Sequence, residues 1–294
     1  MSGIGMRGSE GLALTCVGGN ALVGNALFRY TDFRAAFTRT FHEGRGGIAS
    51  WCSTPRVDTL QGPPEDSEMT STLAFDVYGT LIDTHGVVEA LRPLVGEQAR
   101  AFSMAWRDKQ LEYSFRRGLM RNYETFAVCT RQALAHTCLK FQAPLTPEQT
   151  GDLLARYRSL PAFADAVEGL TRARAAGFRL FAFSNGCAEA VEDLLRQAGI
   201  RDFFLEVVSV DDLKSFKPDP GVYAHFLRRA GVAGGPAWMI SGNPFDVIGA
   251  LSAGMRAAWV QRSPQDLFDP WGIEPTLVVP SLTDLAQGII AFNR

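Results

Sequence analysis

A chain of 294 residues, 46% hydrophobic and 20% charged, is long enough for one large α/β domain or two smaller ones and too apolar to be disordered throughout. Its formal charge of -2, with the signs interspersed, offers no basic stripe for a phosphate backbone, so small molecules rather than nucleic acid are the expected partners. The five cysteines, Cys16, Cys52, Cys129, Cys138 and Cys187, form no CxxC pair and are odd in number; this argues against a disulfide framework or zinc site and for a cytoplasmic protein with reduced thiols.

Residues 11–28, GLALTCVGGNALVGNALF, are uncharged but carry Asn20, Asn25 and four glycines, which makes them poor membrane-spanning material, and Glu10 also weakens a signal-peptide reading. Residues 1–68 lack sustained periodicity and end in the polar, proline-containing junction QGPPEDSEMTST. They are expected to form a poorly ordered N-terminal extension. Met69 stands just before the first clear strand, so it is a candidate native start.

The run Leu73-Ala74-Phe75 leads into FDVYGTLID, which has the form of a strand delivering Asp76 to its C-terminal tip. Helical periodicity then dominates: in AFSMAWRDKQLEYSFRRGLM, Phe102, Trp106 and Tyr113 recur at helical intervals, and TPEQ reads as a helix start before TGDLLARYRSL. After Leu160-Pro161 the order alternates. Helices AVEGLTRARAAG, AEAVEDLLRQAG, PGVYAHFLRRAG and FDVIGALSAG are interleaved with strands FRLFAFSNG, FFLEVVSVDD, PAWMISGN and MRAAWVQR. Helices closing in glycine before β-rich runs predict an α/β fold, a doubly wound parallel-sheet (Rossmann-like) core over 69–84 and 161–294 with a helical cap inserted at 85–160.

In such a sheet the carboxyl ends of neighbouring strands converge on one crevice. The tips carry Asp76 with Thr80, then Ser184-Asn185-Gly186, then Lys217 in SFKPDP, then Ser241, Asn243 and Asp246 in SGNPFD. Each cluster alone is weak evidence; their order after successive strands is much more specific.

This constellation resembles the haloacid dehalogenase superfamily over roughly residues 70–285. Through FDVYGTLIDTHGV, WRDKQLEYSF, FSNG, SVDDLKSFKPDPGVY and SGNPFDVIGA it is most similar to the L-2-haloacid dehalogenases of type II. The resemblance implies hydrolytic dehalogenation of short 2-haloalkanoic acids to 2-hydroxy acids. An aspartyl ester would be the intermediate, C2 would invert, and no metal or other cofactor would be needed. Similar proteins are commonly dimers, and the apolar cap helices could supply an interface.

The residue types agree with that chemistry. Phosphatases of the superfamily place a carboxylate two residues after the nucleophile to protonate a leaving alkoxide; Tyr78 stands there instead and is too weak an acid. A halide leaves as a stable anion and needs no proton. Magnesium favours carboxylate oxygens, and Ser241 and Asn243 supply neutral groups beside a lone acidic Asp246.

An aspartate side chain ordinarily titrates near ~3.9, so a nucleophile of this type needs orientation rather than a base. Lys217 would hold it, and Thr80 and Ser241 would position it. The resemblance gives Arg107 and Asn185 to the departing halide, and Ser184 with loop N–H groups to the substrate carboxylate. It also counts Tyr78, Tyr223 and Phe245 among the substrate-binding residues. Tyr223, Asn243 and Asp246 would organise ester hydrolysis, with Asp246 either activating water or orienting through Lys217.

Blander readings stand beside these. Arg107 could be a solvated helix charge, Tyr223 could simply pack, and Leu111, Phe126 and Phe245 suit an apolar pocket and ordinary core packing equally. His85 reads as a helix-start residue, His136 and His225 as structural, and Cys187 as a small buried hydrophobe. Family members often carry NAWD where this chain has NPFD, so Phe245 leaves chain-length preference open. A magnesium-dependent phosphatase and a non-catalytic ligand-binding member of the same superfamily are the alternatives.

Overall fold

The computed structural model describes residues 71–294 together with three short upstream strands, β1 (Cys16–Val17), β2 (Asn20–Val23) and β3 (Ala26–Arg29). These three pair antiparallel in the order β1-β2-β3. The rest of the expected extension over 1–68, its degree of order and the candidate start at Met69 lie outside the described residues.

The main sheet begins with β4 (Thr72–Asp76), all five residues of which are buried. A strand covered on both faces loses the apolar–polar alternation of a half-exposed one, which is why TLAFD reads as a short continuous run. Next come β5 (Arg179–Ser184), β6 (Glu206–Ser209), β7 (Ala237–Ser241), β8 (Arg256–Val260) and β9 (Leu277–Val279). All neighbours are parallel, in the order β6-β5-β4-β7-β8-β9. The chain therefore builds outward from β4 on one side, returns, and builds outward on the other. The reversal falls between β4 and β7, where an open α/β sheet leaves its binding crevice.

Four helices are inserted between β4 and the rest of the sheet: α1 (Val88–Val95), α2 (Ala99–Leu119), α3 (Phe126–Lys140) and α4 (Pro147–Tyr157). The TPEQ signal does what its residues allow. Thr146 accepts from the Gln149 N–H at 3.2 Å, the Gln149 side chain accepts from the Thr146 N–H at 2.9 Å, and Pro147 opens the helix where no N–H is required. α2 and α3 are locked by Trp106, fully buried against the Tyr157 ring with its Nε1–H donated to the Thr130 carbonyl at 2.9 Å. Removing a side chain of this size from a packed interior costs about 3–5 kcal/mol.

The remaining helices are α5 (Ala166–Ala175), α6 (Ala188–Gln197), α7 (Pro220–Ala230), α8 (Pro244–Ser252) and α9 (Leu282–Phe292). The expected doubly wound parallel sheet with a helical insertion is thus the fold of the chain, and the alternating units begin and end within a few residues of their sequence signals. The difference lies at the C-terminus, where β9 and α9 extend a pattern that the sequence reading ends at Arg262. The intervening stretch contains SPQDLFDPWGIEP without regular structure, and a three-residue edge strand carries too few positions for a period.

Candidate active site

Asp76 is the last residue of β4, in register with Phe183 of β5, and is 7% exposed. The chain turns sharply behind it: the Val77 carbonyl accepts from the N–H groups of Leu81 at 3.0 Å and Ile82 at 2.9 Å, and the Gly79 N–H returns to the Ile82 carbonyl at 2.8 Å. Gly79 adopts φ +91°, a conformation that L side chains rarely take, and a Cβ there would press to 3.3 Å from the Asn243 amide. The turn folds the loop back so that Thr80 faces the carboxylate four residues upstream.

Both oxygens of Asp76 are held. Oδ2 accepts from Asn243 Nδ2 at 2.7 Å, Thr80 Oγ1 at 2.9 Å and Ser241 Oγ at 3.5 Å; Oδ1 accepts from Lys217 Nζ at 3.2 Å. Thr80 also accepts from the Gly242 N–H at 2.9 Å, and Ser241 accepts from the Asn243 N–H at 3.1 Å, so the β4 and β7 tips are tied together. Four donors on one carboxylate fix its orientation and offset its desolvation.

Lys217 is 1% exposed, and its Nζ donates to Asp246 Oδ2 at 2.8 Å and the Phe183 carbonyl at 2.8 Å as well as to Asp76. Its three protons thus have three acceptors, and the ammonium lies 4.2 Å from the Phe183 ring centroid. Asp246, in the first turn of α8, is fully buried, and its Oδ1 accepts from Tyr223 Oη at 2.8 Å. Burial pushes the Asp246 carboxyl up to about 6, against the pull of Lys217 in the other direction. Tyr223 is raised well above its ordinary range by burial and then by Asp246, so it remains a donor.

The cap reaches this cluster through Arg107 of α2, whose Nη2 donates to the Tyr78 carbonyl at 2.9 Å; Asn243 Nδ2 donates to the same carbonyl at 3.1 Å. The Tyr78 ring lies between Tyr157 and Phe126, with centroids 6.1 and 5.6 Å away, and burial drives its hydroxyl well above the ordinary tyrosine range. From the other side of the site, Asn185 Oδ1 accepts from the Lys217 N–H at 2.9 Å, which leaves the Nδ2 group turned the other way. Ser184 is fully buried and accepts from the Gly186 N–H at 3.1 Å. Phe245 meets Phe115 of the cap edge to face, at 4.9 Å between centroids.

Asp76, Thr80, Lys217, Ser241, Asn243 and Asp246 therefore form one hydrogen-bonded cluster; Tyr223 joins it through Asp246, and Arg107 through Tyr78. Phe126 is buried beside Phe216, with ring centroids 6.3 Å apart, and Leu111 is half-buried on α2. The three described histidines lie apart: His85 pairs with Ser103 Oγ at 3.1 Å, His136 packs against Tyr113, and His225 Nε2 lies 3.3 Å from Asp212 without hydrogen-bond geometry. Cys187 sits at the N-terminus of α6, outside the cluster. The sequence reading missed the Phe183 carbonyl and two buried cap residues, Gln110 and Tyr157. A main-chain acceptor leaves no sequence signal, whereas Gln110 stands inside the quoted WRDKQ.

The donor set does not suit the magnesium ion used by phosphatases of the superfamily that the sequence resembles. The position between the Asp76 and Asp246 carboxylates is taken by the Lys217 ammonium, and the other groups on Asp76 are hydroxyls and an amide donating toward it. Among the described residues, no group of three or more His, Cys, Asp or Glu side chains is gathered as a metal site, and no helix is long and apolar enough to cross a membrane.

A family model for haloacid dehalogenase-like hydrolases matches residues 70–254, which span β4, the helical insertion and β5 through α8. That class fits a sheet with its carboxylate at the switch point and helices inserted after the first strand. The chain is 34% identical to an (S)-2-haloacid dehalogenase of Pseudomonas putida over 74% of its own length and 96% of the relative's. It is also 34% identical to haloacetate dehalogenase H-2 of a Moraxella strain, over 71% and 92%. The solved L-2-haloacid dehalogenase of Xanthobacter autotrophicus with chloropropionic acid covalently bound superposes with a TM-score of 0.71 at 30% identity, covering 76% of this chain and 99% of that one. The chain belongs to the haloacid dehalogenase superfamily and, within it, to the L-2-haloacid dehalogenase family.

Proposed function

We propose that the protein hydrolyses short (S)-2-haloalkanoic acids to 2-hydroxy acids without a metal, using Asp76 as the nucleophile. The observation that carries this reading is the Asp76 carboxylate held by four donors, with an ammonium rather than a metal site between it and Asp246. Asp76 Oδ1, with a single donor, is the freer oxygen for attack on C2 in line with the carbon–halogen bond. The new C–O bond forms as the halide departs with the bonding pair, and C2 inverts. Oδ2 becomes the ester carbonyl and carries its donors into the second step, where charge develops on that oxygen.

Arg107 and the Nδ2 group of Asn185 receive the halide; Ser184 and loop N–H groups take the substrate carboxylate. Water then adds to the Asp76 carbonyl and loses a proton to Asp246, which Tyr223 and Lys217 orient. As the tetrahedral species collapses, the bond from the Asp76 carbonyl carbon to the substrate oxygen breaks, and Asp246 returns the proton to that oxygen to give the 2-hydroxy acid. Asp76 releases the remaining proton to solvent as the free carboxylate re-forms. Tyr78, where a phosphatase would have its acid, has its hydroxyl pushed away from proton donation and packs among aromatics.

The core over 69–84 and 161–294, the cap over 85–160 and a homodimer built through the cap are parts of the same proposal. The test is halide release from each enantiomer of 2-chloropropionate in EDTA, with Asp76→Asn as control. Release from the L form alone, lost in the variant, is expected. Turnover of phosphate monoesters with magnesium, and none of haloacids, would return the phosphatase reading.

A further inference from the structure

Arg107 is held from within the cap by a buried residue outside the reacting cluster. Gln110, one helical turn further along α2, is fully buried, and its Oε1 accepts from Arg107 Nη1 at 2.7 Å and from Tyr157 Oη at 2.9 Å. Its Nε2 donates to Thr130 Oγ1 at 2.5 Å, and that hydroxyl donates in turn to the Phe126 carbonyl at 2.8 Å. The guanidinium fixes the amide: a flip would face its NH2 group toward Arg107 Nη1, which can only donate, and its oxygen toward a hydroxyl whose proton is already used. α2, α3 and α4 thus all contribute to a single chain of hydrogen bonds that ends on the guanidinium.

This chain leaves the guanidinium one alignment. Nη1 is directed to Gln110 and Nη2 to the Tyr78 carbonyl, so Arg107 spans the cap and the nucleophile turn. A neutral acceptor in that place keeps the full positive charge of Arg107 available, whereas a carboxylate would cancel it in a low-dielectric setting. We infer that Gln110 is a positioning residue which, with Tyr157, aims Arg107 at the departing halide while leaving its charge unneutralised. The inference rests on the proposed dehalogenase reading, because it gives Arg107 that partner.

Two variants separate aim from charge. Gln110→Met keeps the length but removes the acceptor; Gln110→Glu keeps an acceptor and adds a negative charge. Halide binding is read by chloride NMR line broadening on the full-length protein, taking as site-specific the part lost in Arg107→Gln. Turnover is read as the ratio of kcat for 2-bromopropionate to kcat for 2-chloropropionate, since the poorer leaving group depends more on the cation. Both variants are expected to lose at least tenfold in chloride affinity and to raise the bromo-to-chloro ratio severalfold. A merely structural role would lower stability and kcat for both substrates alike.

Unchanged chloride broadening and an unchanged ratio in either folded variant would overturn the inference. If the wild-type protein releases no halide from any haloacid, the dehalogenase reading falls, and the chloride measurement still decides for Gln110. A wild-type protein with no Arg107-dependent broadening would overturn the inference as well.

Discussion

Lys217 and Asp246 are buried together, with Nζ 2.8 Å from Oδ2, and burial nonetheless pushes the Asp246 carboxyl up to about 6. Burial outweighs the ammonium because a desolvated charge is disfavoured more than one partner can repay, and Asp76 shares the same ammonium. If Asp246 must be ionised to take a proton from water, ester hydrolysis falls off below about pH 6. The limb belongs to the coupled cluster rather than to one residue. Single-turnover decay of the aspartyl ester, followed against pH, should show it, and an ester decay that is flat through this range would remove Asp246 as the base.

For folding, the same shift has a fixed sign. A carboxyl that protonates more easily in the folded chain than in the unfolded one contributes most below its ordinary value of 3.8 and loses that contribution as pH rises through about 6. Wild-type urea midpoints should therefore decline relative to those of Asp246→Asn between about pH 4 and pH 7. A constant difference across that window would contradict the shift.

Tyr223 reaches Asp246 because residue 249 has no side chain. A Cβ at Gly249 would lie 2.4 Å from Tyr223 Oη and 2.7 Å from Pro218 Cβ, so Gly249→Ala must push the hydroxyl off Asp246. Overpacking of this kind costs about 1–3 kcal/mol. Tyr223→Phe removes the hydrogen bond without the clash. Gly249→Ala should lower both Tm and ester hydrolysis, while Tyr223→Phe should lower hydrolysis with a smaller change in Tm.

These dependencies mark how far the sequence could be read. Asp76, Lys217 and Asp246 were legible because each ends or follows a strand in a fixed order, and the alternating helix and strand periods placed the strand ends side by side. Gly249 was not, since a glycine within GALSAG reads as a helix residue of no account until Tyr223 is seen against it. Gln110 was hidden for a related reason: its partners Thr130 and Tyr157 lie 20 and 47 residues away, on other cap helices. Local pattern carries no information about which distant hydroxyl an amide will meet.

Arg262 shows the same non-local dependence outside the cluster. Its Nη2 donates to the Thr80 carbonyl at 2.6 Å and its Nη1 pairs with Asp165, whose Oδ2 also accepts from Ser281 Oγ at 3.0 Å and the Leu282 N–H at 2.9 Å. Burial alone would raise the Asp165 carboxyl, but these donors hold it below the ordinary value. Arg262→Ala leaves the Thr80 carbonyl and Asp165 short of a partner, which should cost about 2 kcal/mol. Because Thr80 orients Asp76, kcat should fall with it. Stability equal to wild type in urea would show that water replaces the guanidinium at no cost.

On the proposed reading, the contact between Phe115 and Phe245 limits substrate length. One ring comes from the cap and the other from the turn that also supplies Asn243 and Asp246, and they meet at 4.9 Å with an interplanar angle of 67°. A substrate alkyl group extending toward this pair would meet two rings packed edge to face across the cap and the start of α8. Each methylene that such a wall accommodates or rejects is worth about 1–3 kcal/mol. Phe115→Ala should therefore raise kcat/KM for 2-chlorobutanoate relative to 2-chloropropionate by severalfold, while Asp76 and its donors remain as they are. An unchanged ratio would place the limit on chain length elsewhere, with Tyr78 and Phe126 as the next pair to vary.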